Sequence, residues 1–309
     1  MNVKDMRDAF FDGVYDAIEK DKNVVILTAD HGAFRLTEIA KEFPQQYLNV
    51  GISEQNMISF AGGLAASGKI VYVYSINNFI TMRSLEQVNI DLCGMGCHVN
   101  LIGVGAGFTY STDGPTHQGM QDAQAMMTLP GLQVYNVTDD INSKKLATIG
   151  YNTPGPKYFR IEKGKYDRLY QEEDIFFDGV KKLKEYNKTV IISTGCMTHT
   201  ALKVAEKFKD VGVIDIFRIK PINYEKLSLL LQNVQNIITL EESTYSGGLG
   251  EKIGFFLAKN NFYKRFLPIA VKDQHCFHYG DRESLHKKYF IDKKSVYNKL
   301  KDFLEQEWI

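Results

Sequence analysis

The chain has 309 residues, 44% of them hydrophobic, with Lys+Arg and Asp+Glu balanced at 37 each. That length suits two medium domains with real cores, about 150 residues being an ordinary domain. The charge balance leaves no basic field for nucleic acid and no acidic tail, and no segment approaches the roughly 20 apolar residues of a membrane span. The charged start Met1-Asn-Val-Lys-Asp-Met-Arg-Asp lacks a signal-peptide core, so a cytoplasmic protein acting on small molecules is expected.

In chain order, Met6, Phe10, Val14, Ala17 and Ile18 recur at helical spacing, and residues 24–28 follow as a buried strand. Further apolar runs at 69–74, 99–104, 132–137 and 158–161 read as strands, with helices near 54–67, 78–92, 118–128 and 140–150 between them. Such alternation predicts a mostly parallel sheet covered on both faces. Charge becomes dense and periodicity weak at 163–188, so 164–182 reads as connecting chain. The alternation resumes with strands at 189–193, 212–217 and 236–240, a helix carrying Ala201, Leu202, Ala205 and Phe208, and a helix at 247–258. The predicted fold is α/β in two domains, each a mostly parallel sheet covered by helices: 1–163, a linker at 164–185, and 186–309.

Four cysteines, Cys93, Cys97, Cys196 and Cys276, sit in apolar or glycine-rich surroundings. Cys93-Gly-Met-Gly-Cys97 has no second ligand pair to complete a zinc site, so buried reduced thiols are expected.

Two polar motifs interrupt the apolar pattern. Asn49-Val-Gly-Ile-Ser-Glu54-Gln-Asn-Met57 opens a helix whose Met57, Phe60, Ala61 and Leu64 have core-facing spacing. A glutamate in a first turn is favoured by the helix dipole whatever its use. In Asp113-Gly-Pro-Thr-His117-Gln118, Gly114-Pro115 makes a turn that frees Asp113 and His117 to point into a cleft. Taken alone, Asp113 reads as a turn-forming Asx residue and His117 as a helix-start cap.

Together these motifs resemble the pyrimidine-binding half of transketolase-like thiamine diphosphate enzymes, over residues 5–161. Residues 186–305 resemble the same family's C-terminal domain, through Glu241-Glu242-Ser-Thr-Tyr-Ser-Gly247-Gly248-Leu-Gly250, a domain that is mainly structural and assists dimer assembly. The resemblance implies that Glu54 hydrogen-bonds the cofactor's aminopyrimidine and relays the proton needed to form the reactive ylide. It puts Asp113 and His117 on the sugar, where an imidazole bonds a hydroxyl or shuttles a proton near neutral pH. Ile76, Phe79 and Met82 would surround the aminopyrimidine, Phe79 being otherwise a core residue. Asp30 matches a carboxylate near the thiazolium ring, or else caps the next segment. Arg160 matches an arginine that grips a terminal sugar phosphate.

The departures from the family pattern are as telling. No Gly-Asp-Gly motif supplies magnesium ligands, which are carboxylate and amide oxygens with phosphates and waters. The resemblance therefore implies an N-terminal transketolase-like partner subunit holding magnesium and the diphosphate, in a two-plus-two heterotetramer, with no metal ligand on this chain. Around the sugar phosphate, a family histidine is replaced by Gly105, a serine by Phe34, and Lys4 or a neighbour stands near an arginine position. The implied reaction is transfer of a two-carbon ketol unit between sugars, the sugar being modified, unphosphorylated or nucleotide-linked. Alternatives are a deoxyxylulose-phosphate-synthase-like or other acyloin-forming enzyme using a 2-oxo acid, and a noncatalytic assembly partner. Glu54, Asp113 and His117 argue against the last, because a scaffold needs the helices but not these polar groups.

Overall fold

Two sheets, both mainly parallel, organise residues 3–306, the part of the chain that the computed structural model describes; Met1, Asn2 and 307–309 lie outside the described residues. The strands are β1 Val24–Thr28, β2 Tyr47–Asn49, β3 Ile70–Ile76, β4 Val99–Val104, β5 Gln133–Asn136, β6 Lys157–Ile161, β7 Val180–Lys184, β8 Thr189–Ser193, β9 Val211–Ile216, β10 Arg218–Lys220, β11 Asn236–Thr244 and β12 Arg265–Val271. The first sheet runs β10-β5-β6-β4-β3-β1-β2 and the second β12-β11-β8-β9-β7. In each, one edge strand is antiparallel, β10 against β5 and β7 against β9. All six residues of β4 and all five of β6 are buried, as a sheet covered on both faces requires.

The expected alternation is present, with local differences. β2 is a three-residue edge strand, too short to show a period. The helix expected at 78–92 is broken: helical turns at Asn77–Ile80 and Leu85–Gln87 precede a wider π-helical stretch, Val88–Gly94. Thr81 and Ser84 donate their hydroxyls to the carbonyls of Asn77 (2.6 Å) and Phe79 (2.9 Å), competing with the regular helical bonds. The segment read as connecting chain also carries structure. Tyr170 is fully buried, its hydroxyl donates to Asp215 of β9 at 2.7 Å, and β7 begins at Val180.

The two sheets share contacts beyond a connecting chain. β10, from the second half of the sequence, joins the first sheet with Arg218 opposite Tyr135. Arg282 pairs with both Glu162 and Glu242. Among the described residues, no helix is long and apolar enough to cross a membrane.

Register levels the carboxyl ends of the central strands: Thr28 of β1 lies opposite both Asn49 of β2 and Tyr74 of β3. Asp30, Glu54 and Gly105 follow those ends in sequence, and Ile76 is the last residue of β3. In open α/β sheets this edge is where ligands bind.

Candidate active site

Glu54 begins helix Glu54–Ala66, yet its carboxylate does not serve as a cap; Ser53 is the N-cap, and its hydroxyl bonds the Val50 carbonyl instead. Glu54 is only 3% exposed, and a buried carboxylate needs partners. Arg83 donates to it from Nη1 at 3.0 Å, while the same guanidinium lies 4.1 Å over the Phe79 ring. On this helix Met57, Ile58, Ala61 and Gly62 face the core, whereas Phe60 is 42% exposed. The core-facing stripe is thus turned toward Ile58 and Gly62 and away from Phe60.

Phe79 links this acid to the second motif. Its ring meets that of His117 edge-on at 5.1 Å, and Tyr110 approaches His117 from another side at 6.1 Å. Phe79 is half-buried, with Arg83 on its face, so it is not a core residue. Ile76 ends β3 half-buried, and Met82 is exposed. His117 does not cap a helix: the next one, Asp122–Thr128, starts beyond it at the N-cap Gln121, and His117 Nδ1 is 2.9 Å from the Thr116 hydroxyl. Asp113 is exposed, and its carboxylate has no hydrogen-bond partner among the described residues, so it forms no Asx turn. Gln118 is buried with both amide atoms unpartnered, a costly state that calls for a further partner.

Asp30 sits in the left-handed backbone region at φ 54°. Its amide donates to Asn49 Oδ1 at 3.0 Å, and Asn49 Nδ2 donates to its carboxylate at 3.2 Å. The following helix, Phe34–Glu42, is capped at Ala33 without any side-chain bond, so Asp30 is not its cap.

Arg160, expected at a terminal sugar phosphate, is bonded within the chain in this structure. Arg160 is buried, and every guanidinium nitrogen is engaged within the chain. Nε donates to Asp122 at 2.9 Å, Nη1 to Asn136 Oδ1 at 3.4 Å, and Nη2 to the carbonyls of Gly119 at 2.5 Å and Glu242 at 3.2 Å. The carboxylate that claims it stands 38 residues away in sequence, beyond the reach of any local motif. Phe34 is exposed, and Lys4 pairs with Asp12.

Several residues near this cleft carry no signal in the sequence. Arg83 is one. His31, half-buried, brings Nε2 to 3.4 Å from the Tyr110 hydroxyl. From the second half of the chain, Tyr279 lies on Gly114: a Cβ built there would be 2.8 Å from its hydroxyl oxygen. The C-terminal unit therefore touches the Asp113–His117 loop as well as supporting the fold. Its Gly247-Gly248 turn has the plainer role, since Glu241 accepts the amides of Leu249 and Gly250, each at 2.9 Å, at the start of helix Leu249–Lys259.

All four cysteines are free; Cys97, Cys196 and Cys276 are buried and Cys93 partly so. Glu162, Cys196 and Glu242 bring ligand-type atoms within 4.8 Å of one another. Arg282 supplies the positive charge at that point, donating to all three.

A buried acid, an aromatic ring and an imidazole are gathered at the carboxyl edge of a parallel sheet and form one wall of the candidate site. Residues 2–168 match the pyrimidine-binding domain of transketolase, and residues 178–296 match the transketolase C-terminal domain. The chain is 30% identical to a subunit of the apulose-4-phosphate transketolase of Phocaeicola vulgatus, with 99% of each chain covered. It is also 30% identical to a 6-deoxy-6-sulfo-D-fructose transketolase subunit of Clostridium sp. (strain MSTE9), over 82% of this chain and 81% of that one. A split-gene transketolase solved as an inactive beta4 tetramer superposes with a TM-score of 0.87 at 25% identity, covering 98% of this chain and 99% of that one. The chain belongs to the transketolase family.

Proposed function

We propose that this chain is the C-terminal subunit of a split transketolase that transfers a two-carbon ketol unit between sugars, and that it is active only with an N-terminal partner subunit. The observation that carries this reading is the buried Glu54 carboxylate beside Arg83 and Phe79, in line with His117. The site suits thiamine diphosphate, because the Gln118 amide is buried without a partner and the Asp113 carboxylate is free among the described residues.

When bound, thiamine diphosphate supplies the nucleophilic carbon that cleaves a ketose beside its carbonyl. Glu54 holds a proton for a pyrimidine nitrogen, a task that needs a carboxyl group within hydrogen-bond reach. Ile76, Phe79 and Met82 would give the ring an apolar wall, and Asp30 would lie toward the thiazolium. Asp113 and His117 bond sugar hydroxyls, and His117 is placed to move a proton there.

With no Gly-Asp-Gly motif in the sequence, the magnesium ligands and the diphosphate cradle belong to the partner. Ile52, Phe60, Met82 and Ile90 are exposed on and beside the helix that carries Glu54, and apolar surface of this kind suits a partner chain. The assembly proposed is a two-plus-two heterotetramer. The relatives whose names specify subunits act on sugars named as apulose 4-phosphate and 6-deoxy-6-sulfofructose, which favours a modified sugar over an ordinary pentose phosphate.

The test is Glu54→Gln in the reconstituted complex. It keeps shape and hydrogen-bonding capacity but removes the acid, so the complex should still assemble while turnover falls by about 10²–10⁴-fold. Near-normal turnover at saturating thiamine diphosphate would sink the assignment.

A further inference from the structure

We propose that His31, positioned by Tyr110, determines substrate specificity by contacting the far end of an unphosphorylated, hydroxylated sugar; this rests on the transketolase reading above. The placement starts in the backbone. Asp30 is a non-glycine residue at φ 54°, a conformation that persists only where surrounding structure enforces it, and Asn49 enforces it with bonds on both sides. The chain thereby leaves β1 so that the His31 ring lies 5.2 Å from that of Tyr74 and its Nε2 lies 3.4 Å from the Tyr110 hydroxyl.

Tyr110 is fixed in turn by Gly105. A Cβ at that glycine would come within 2.7 Å of two Tyr110 ring carbons, so the missing side chain makes room for the ring. Tyr110 also meets His117 edge-on, and its carbonyl accepts the Asp113 amide at 3.2 Å. His31 is thus a second imidazole on the wall that carries His117 and Asp113.

The chemistry of that wall decides the ligand class. Burial, and then the electrostatic influence of Arg7, Lys163 and His117, push the His31 pKa below its ordinary value, so the imidazole is neutral near pH 7. A neutral imidazole and a phenol make directional bonds with hydroxyl groups. A phosphate dianion favours open guanidinium forks, and two guanidinium groups are already paired within the chain, Arg7 through Nε with Asp5 at 3.1 Å and Arg160 with Asp122.

The experiment uses the complex reconstituted with its N-terminal subunit, thiamine diphosphate and magnesium. Donors are D-xylulose, D-fructose and D-sedoheptulose, each beside its terminal phosphate ester, with one common acceptor. His31→Asn should raise KM for the preferred unphosphorylated ketose about tenfold or more, with kcat little changed and the thiamine diphosphate titration unmoved. Tyr110→Phe keeps the ring over Gly105 and removes only the hydroxyl, so KM should rise in the same direction by a smaller factor. Unchanged KM in both variants would overturn the contact while leaving the transketolase reading intact. A wild-type preference for the phosphate esters would overturn the ligand class. A wild-type complex inert on the whole panel would overturn the ligand class assigned here, and leaves the transketolase reading, which favours a modified sugar, to the Glu54→Gln test.

Discussion

Arg160 on β6 donates from Nε to both carboxylate oxygens of Asp122, at 2.9 and 3.2 Å, and both side chains are buried. Its Nη2 ties the loop at Gly119 to Glu242 of β11, so the guanidinium joins the two halves of the chain. Removing one member of a buried pair strands the other, at about 3–5 kcal/mol. Arg160→Met should therefore lower the unfolding free energy by that order in urea titrations, and Arg160→Lys should rescue little, because an ammonium cannot reproduce the fork. If Arg160→Met left stability intact and raised KM only for phosphorylated sugars, a phosphate-binding role would hold after all.

Gly114 and Tyr279 offer a test of how the second half of the chain shapes the site loop. Gly114 sits at φ 74°, where an L-residue costs roughly 1–2 kcal/mol, and an added Cβ would also press on the Tyr279 hydroxyl. Gly114→Ala should raise substrate KM by shifting Asp113 and His117. Tyr279→Ala should offset part of that effect in the double variant, because it removes the obstructing ring but not the backbone strain. The measurement is a double-mutant cycle on KM. Strict additivity would show that Tyr279 does not govern the loop.

Local pattern is enough for much of the fold. β1 and β4 have the bounds that their apolar runs predict, and the helix at Glu54 starts where the motif puts it. What the pattern hides depends on contacts distant in sequence. β10 takes its place by pairing with β5, more than 80 residues earlier in the chain, and three residues carry no periodicity that could announce it. β7 lies in a charged segment whose inward residues, such as Val180, are too few to outweigh the lysines around them. In the site, the motifs bring forward Glu54, Asp113 and His117, but His31 joins them only because Asp30 and Asn49 turn the chain and Gly105 admits Tyr110. The pairing of Arg160 is hidden for the same reason: its residue type suits an anion, and its partner in the structure, Asp122, lies 38 residues away in sequence.

Asp215, at the core of the second unit, provides a pH signature independent of catalysis. Burial pushes its pKa up from 3.8 to about 6, opposed by donated bonds from Tyr170, Thr138 and Thr198; these hydroxyls lie 2.7, 2.8 and 2.8 Å from its oxygens. The folded state thus binds this proton more tightly than the unfolded chain. The stability from that preference is fully present below the unfolded value of 3.8 and is lost as pH rises through about 6. Asp215→Asn carries no titrating group and should be less stable overall, since an amide cannot accept all three hydroxyl bonds equally well. The wild-type advantage over Asp215→Asn should therefore be larger near about pH 4 than near about pH 7.5. Comparing the two proteins at each pH cancels the titration of the other carboxylates. Urea unfolding at both values provides the measurement, and an advantage that stays constant or grows with pH would show that Asp215 ionises in the fold at its ordinary pKa or below.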